Sequence, residues 1–134
     1  MSPLISEKAR AFLQESRFAV LGTAFADGRP QLTVMWYRLD DDTLMMNTAA
    51  GRVKDSNLRR DPRVAVCVED GYNYVTLYGS VELDEDQATA QADIFGLAVR
   101  YHDAERAEQM AENSFRKQQR VTLRMTIERV DEHF

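Results

Sequence analysis

RFAVLGTAF (17–25), ADGRP (26–30), QLTVMWYRL (31–39), DDD (40–42) and TLMMNT (43–48) run consecutively, and the alternation of apolar runs with short turns in this passage decides the fold. The first run is apolar, partly β-branched and contains a glycine, which reads as a strand. Asp27-Gly28 tolerates positive φ and predicts a turn. In 31–39, Leu32, Val34 and Trp36 alternate against Gln31, Thr33 and Tyr37, the two-residue period of a strand. The three aspartates predict a second tight turn before a third strand. The expectation is a meander of three antiparallel strands.

Outward from this passage the β pattern continues. RVAVCV (63–68) reads as a buried strand and EDGYN (69–73) as a turn. In YVTLYGSVEL (74–83), Val75, Leu77, Val81 and Leu83 share one face with Gly79. RVTLRMTIERV (120–130) alternates Val121, Leu123, Met125 and Ile127 inward against Thr122, Arg124, Thr126 and Glu128 outward. Three helices flank these strands. SEKARAFLQE (6–15) has Ser6 as N-cap and Ala9, Phe12 and Leu13 on one face. Residues 84–102 open with acidic residues that suit a helix N-terminus, and Ala88, Ala92, Phe95 and Val99 form the expected apolar stripe. A further helix around 104–115 carries Ala107, Met110 and Ala111. The fold class is mainly β with flanking helices, about six antiparallel strands closing into a small barrel that removes exposed edges.

The length of 134 residues predicts a single domain, 1–134, large enough for a core without disulfides or metal. The lone Cys67 excludes an internal disulfide and favours a reducing, cytoplasmic setting. The first ten residues lack a signal-peptide apolar run, and no stretch is long and apolar enough for a transmembrane helix. The net charge of −5 argues against a nucleic-acid partner.

Against that acidic balance, NTAAGRVKDSNLRRDPRV (47–64) holds five basic residues and two acidic ones. It breaks the β pattern: Val53, Asn57 and Leu58 suggest one or two helical turns, stopped by Asp61-Pro62. A helix starting at Gly51 would place free N–H groups, Arg52 and Lys54 together, just after the Thr48 hydroxyl, and glycine would let a ligand approach the backbone. The other reading is a solvated basic face, which Arg59, Arg60 and Arg63 fit better.

From AVLGTAF through DGRPQLTVMWY, NTAAGRVKDSNLRRDPRV and YVTLYGSVEL, the chain resembles the pyridoxamine 5′-phosphate oxidase-like split-barrel superfamily, across about residues 5–130. Within it the chain is most similar to the small flavin/deazaflavin oxidoreductases that use coenzyme F420. The resemblance implies an FMN-binding-type split β-barrel and a homodimer with cofactor sites at the interface. It implies that Arg52 and Lys54 hold the cofactor phosphate, and that Thr33, Val34, Met35, Asn47, Thr48 and Ala49 line the ring. Tyr72 and Tyr74 would come from the second protomer. The vitamin-oxidase branch itself matches poorly, with no counterpart for its substrate-phosphate residues.

The implied activity is hydride transfer from reduced F420 to a small conjugated organic acceptor; an FMN-binding oxidoreductase and a non-catalytic cofactor carrier are the alternatives. Such chemistry needs orientation more than a catalytic side chain, and no catalytic residue is assigned. His102 and His133 read as surface residues, without metal-ligand spacing to Cys67, so no metal site is expected. Cys67, between valines, reads as a buried inert thiol. Trp36 reads equally as a ring cover or a barrel filler. Tyr37, Tyr72, Tyr74 and Tyr78 are minor candidates for a proton donor.

Overall fold

The computed structural model describes residues 4–134. Its chain order is α1 (Glu7–Gln14), β1 (Ala19–Ala24), β2 (Pro30–Met35), β3 (Arg38–Asp40), β4 (Thr43–Ala49), α2 (Val53–Arg60), β5 (Arg63–Glu69), β6 (Tyr74–Asp84), α3 (Gln87–Tyr101), α4 (Ala104–Asn113), a 3-10 turn (Phe115–Lys117) and β7 (Arg120–His133). All seven strands join one antiparallel sheet in the order β2-β1-β5-β6-β7-β4-β3.

The passage read as a three-stranded meander is not one. Its middle run breaks at Trp36-Tyr37 into two strands, β2 and β3, which occupy opposite edges of the sheet. That raises the strand count from six to seven and also fixes the curl. Met35 and Arg38 are three residues apart, so their Cα atoms lie within about 11 Å. Seven strands laid flat would separate the two edges by about 29 Å. The sheet must therefore curve until its edges meet, giving a curled half-barrel of the split-barrel kind. At the break Tyr37 has a backbone N–H that no ladder takes; it donates to the Tyr101 hydroxyl at 3.1 Å. The Tyr37 hydroxyl in turn donates to the carbonyls of Leu13 (2.9 Å) and Glu15 (3.0 Å), so the bend is pinned to the end of α1. Tyr37 is wholly buried, and burial pushes its hydroxyl pKa up to about 12. It is structural rather than a proton donor.

Two clusters make the core. Inside the curl lie Leu21, Leu39, Leu44, Met46, Val66, Leu77, Leu123 and Met125, closed at one end by Ala9, Phe12 and Leu13 of α1. Between the sheet and the α3–α4 pair lie Met45, Ile94, Leu97, Ala98, Ala107, Ala111 and Phe115. Strand β4 is thus buried on both faces. The buried stripe of α3 is Ala90, Ile94, Leu97 and Ala98, not the expected Ala88, Ala92, Phe95 and Val99. Both sets have helical spacing and each holds two alanines and two larger residues; packing against Met45 of β4 and against Ala107 and Ala111 of α4 sets the phase. The helix also starts later than expected, because β6 runs on to Asp84 and Asp86 is the N-cap, accepting from Thr89 N–H. At the Tyr78/Gly79 bulge of β6 against β7, a Cβ on residue 79 would sit 1.9 Å from the Thr126 carbonyl oxygen, so glycine is required by contact.

Among the described residues, the outer face of β1, β2 and β5 carries no helix. Leu32 and Val34 point outward and are 68% and 64% exposed, while Gln31, Thr33 and Met35 face in. Val20 pairs with Val34 on one side and Cys67 on the other, so the thiol lies on this outer face, half-buried. It is not the buried core thiol expected, because its flanking Val66 and Val68 take the inward positions.

Candidate anion and ring site

Strand β4 ends at Ala49 and the chain turns through Gly51 into α2. Gly51 has φ +87°, and a Cβ there would meet no atom within 4 Å. Its glycine serves the left-handed turn, and the space beside it is open. The helix begins at Val53, two residues later than expected, with Arg52 at the N-cap making no side-chain cap bond. Asp55 instead accepts from Gly51 N–H at 2.9 Å, and Ala50 N–H donates to the Gln119 carbonyl at 2.8 Å, tying this turn to the start of β7.

A cavity of about 200 Å³ opens at this junction. Thr33, Val34 and Met35 of β2 form one wall; Asn47, Thr48 and Ala49 of β4 form a second. Arg52, Lys54 and Arg120 complete it. Every residue that the resemblance assigned within this protomer's strands and GRVK segment lies on it. Tyr72 and Tyr74 do not: they sit on the β5–β6 hairpin, Tyr72 at 88% exposure and Tyr74 stacked on the His133 ring. Polar links support the β2 wall. Asn57 donates to Thr23, Thr23 to Gln31, and Gln31 to Thr33.

The structure sorts the basic residues of 47–64. Arg59 pairs with Asp55 and Glu85, and Arg63 with Asp61, whose pKa that bond holds down at about 2. Arg60 donates to the Ala24 carbonyl and to Asn57. Arg52 and Lys54 have no carboxylate partner among the described residues, and neither has Arg120. Lys54 is 7% exposed; burial, then the charges of Arg52 and Arg120, lowers its pKa. Burial and Arg52 bring Arg120 down to about 10. Three mutually repelling cations without a carboxylate are a ready receptor for an anion.

Nothing local in the sequence singles out Arg120. It stands opposite Ala49 in the β4–β7 register, a pairing of distant segments that no local pattern reveals. A second cavity of about 210 Å³ adjoins the first, sharing Val34, Met35, Asn47 and Arg120 and adding Trp36, Ile94, Leu97 and Phe115. Trp36 lines it while stacked on Tyr101 at 5.3 Å, so it both packs and faces the cavity. A larger hollow of about 380 Å³ lies on the outer sheet face, where Leu32, Gly22 and Ala65 line it beside the neutralised Asp61–Arg63 pair. Among the described residues, no helix is long and apolar enough to cross a membrane.

The curled seven-stranded sheet is that of a split-barrel protein, and the family match places it in a superfamily of flavin- and deazaflavin-binding oxidoreductases. More specifically, the chain belongs to the pyridoxamine 5′-phosphate oxidase family, whose model matches residues 5–134. Solved structures share the fold. A conserved hypothetical protein of Mycobacterium tuberculosis is 32% identical with a TM-score of 0.80, over 96% of this chain and 84% of that one. A protein named F420 reductase is 24% identical with a TM-score of 0.77, over 95% and 98%. General stress protein 26 of Bacillus anthracis is 17% identical with a TM-score of 0.71, over 95% and 92%.

Proposed function

We propose that this protein is a cytoplasmic, homodimeric oxidoreductase that binds reduced coenzyme F420 and passes a hydride to a small conjugated organic acceptor. The observation that carries the reading is the unpaired cationic pocket at Arg52 and Lys54, set beside the β2 and β4 walls. The structural likeness to a protein named F420 reductase supports the choice of cofactor. When bound, the deazaflavin supplies a two-electron hydride, and a proton from solvent completes reduction of the acceptor. The chain's own residues bind and orient. Arg52 and Lys54 neutralise the phosphate; Thr33, Val34 and Met35 face Asn47, Thr48 and Ala49 across the cavity and position the ring. The exposed apolar face of Leu32 and Val34 supports a two-fold dimer, since contiguous apolar surface of this kind marks an interface. Tyr72 and Tyr74, projecting from the β5–β6 hairpin, are offered to the partner's site.

FMN carries a comparable tricyclic ring and ribityl phosphate, and the same pocket suits its phosphate; the family match favours keeping it as the second reading. Fluorescence titration with F420 and FMN side by side separates the two. Charge-assisted bonds contribute ~1.5–3 kcal/mol each, so Arg52→Ala and Lys54→Ala are each expected to weaken binding ~10–100-fold. Arg60→Ala is expected to cost less, because Arg60 is engaged with Ala24 and Asn57. Added salt should weaken wild-type binding more than that of Lys54→Ala. Wild-type affinity for both cofactors in Arg52→Ala and Lys54→Ala alike would place any cofactor elsewhere. Tight binding without turnover of any acceptor would leave a carrier.

A further inference from the structure

A buried guanidinium is ordinarily met by a carboxylate, because desolvating an uncompensated charge is costly. Arg120 departs from that pattern. It is 7% exposed, yet its Nε donates to the Asn47 amide oxygen at 3.0 Å and one terminal nitrogen to the Gln118 amide oxygen at 2.5 Å. The Gln87 side chain accepts from the Arg120 backbone N–H and donates to the Arg120 carbonyl. Three neutral amides therefore orient Arg120 without neutralising it. Its second terminal nitrogen has no partner among the described residues, and the side chain lines the cavity of Arg52 and Lys54.

We propose that Arg120 is a third ligand of the anion held by Arg52 and Lys54, delivered from β7 on an uncharged amide cradle, and that the group it takes is a phosphate ester. The inference rests on the anion-site reading above and adds to it a residue from a distant part of the chain. The three cations approach from two sides: two from the start of α2, one from the opposing strand. A bound anion offsets both the burial cost and the repulsion from Arg52, which is why a cradle of amides, rather than an aspartate, is suited to this position. Arg120 also borders the adjoining cavity, so the same side chain marks where the cationic compartment ends and the apolar one begins.

Two variants of the full chain test this. Gln118→Glu places a carboxylate on Arg120, and the Gln118 side-chain amide donates no hydrogen bond among the described residues that would be lost. Arg120→Met keeps the length and removes the charge. The probes are inorganic phosphate by thermal shift, and FMN and F420 by fluorescence. Gln118→Glu is expected to melt no lower than wild type without ligand, whereas Arg120→Met leaves the buried Asn47 amide oxygen unpaired and is expected to melt lower. Both should bind the probes more weakly, Gln118→Glu by ~10-fold or more and Arg120→Met by ~10–100-fold. A merely structural Arg120 would leave the affinity of both folded variants unchanged, whatever their melting temperatures. If Gln118→Glu binds all three probes as wild type does while Arg52→Ala and Lys54→Ala lose them, Arg120 is not a ligand and the anion site stands without it. If Arg52→Ala and Lys54→Ala also bind normally, the anion-site reading itself is overturned.

Discussion

Leu32→Asp is expected to convert a dimer into monomers while leaving the fold intact. Full burial of a leucine side chain contributes ~1.5–3 kcal/mol. Leu32 is 68% exposed in the single chain, so an interface can still gain about two-thirds of that, ~1–2 kcal/mol. Two-fold symmetry counts it twice, ~2–4 kcal/mol per dimer, and trapping two carboxylates adds desolvation cost on top. The apolar loss by itself raises the dissociation constant ~30–1000-fold. Light scattering at micromolar concentration should then give a mass near 15.4 kDa for the variant and twice that for wild type. Far-UV circular dichroism should not change, because Leu32 points away from the core. Cofactor affinity should fall with the dimer, since Val34, its neighbour on this face, also lines the site. A variant that keeps the dimer mass would remove the β1–β2–β5 face from the interface; a wild-type mass near one chain would remove the dimer.

Cys67→Ser should retain cofactor binding and turnover and change stability by less than ~1 kcal/mol, because a half-buried hydroxyl on the outer face keeps access to solvent; lost turnover in a folded variant would show that the thiol matters. Gly79→Ala should cost ~3 kcal/mol or more, since a Cβ 1.9 Å from a backbone oxygen forces the bulge to move, and urea unfolding measures it. Tyr37 titrates near 10 when unfolded and about 12 when folded. Its contribution is present in full below pH 10 and is lost as pH rises to 12, ~2–3 kcal/mol in all. The stability gap between wild type and Tyr37→Phe should therefore shrink across that window, and a constant gap would refute the burial argument.

Much of the strand inventory was readable because it depends on neighbours in sequence. The inward residues of β6 and β7, the face of α1 and the cap at Ser6 all follow from local period and local hydrogen bonding. The split of 31–39 was not readable. Its residues suit a strand throughout, and the break at Trp36-Tyr37 is stabilised by Tyr101 and by the carbonyls of Leu13 and Glu15, all remote in the chain. The phase of α3 failed for a related reason: two apolar stripes compete in its sequence, and only packing against Met45 selects one.

The cofactor site divides the same way. The sequence by itself determined that positive charge, a glycine turn and a helix start coincide at residues 51–54, because these are adjacent residues with a shared local geometry. That β2 lies across the site from β4 follows from the curl of the sheet and not from local pattern. Which cations are left free was decided largely by the tertiary structure. Arg63 finds Asp61 only two residues away, but Arg59 reaches Glu85 through the fold, whereas Arg52 and Lys54 find no carboxylate among the described residues. The fold then adds Arg120, sixty-six residues beyond Lys54, by pairing β7 with β4. Charge in a sequence is a sum, but charge available to a ligand is what remains after every partner has been met, and partners are assigned by the folded chain.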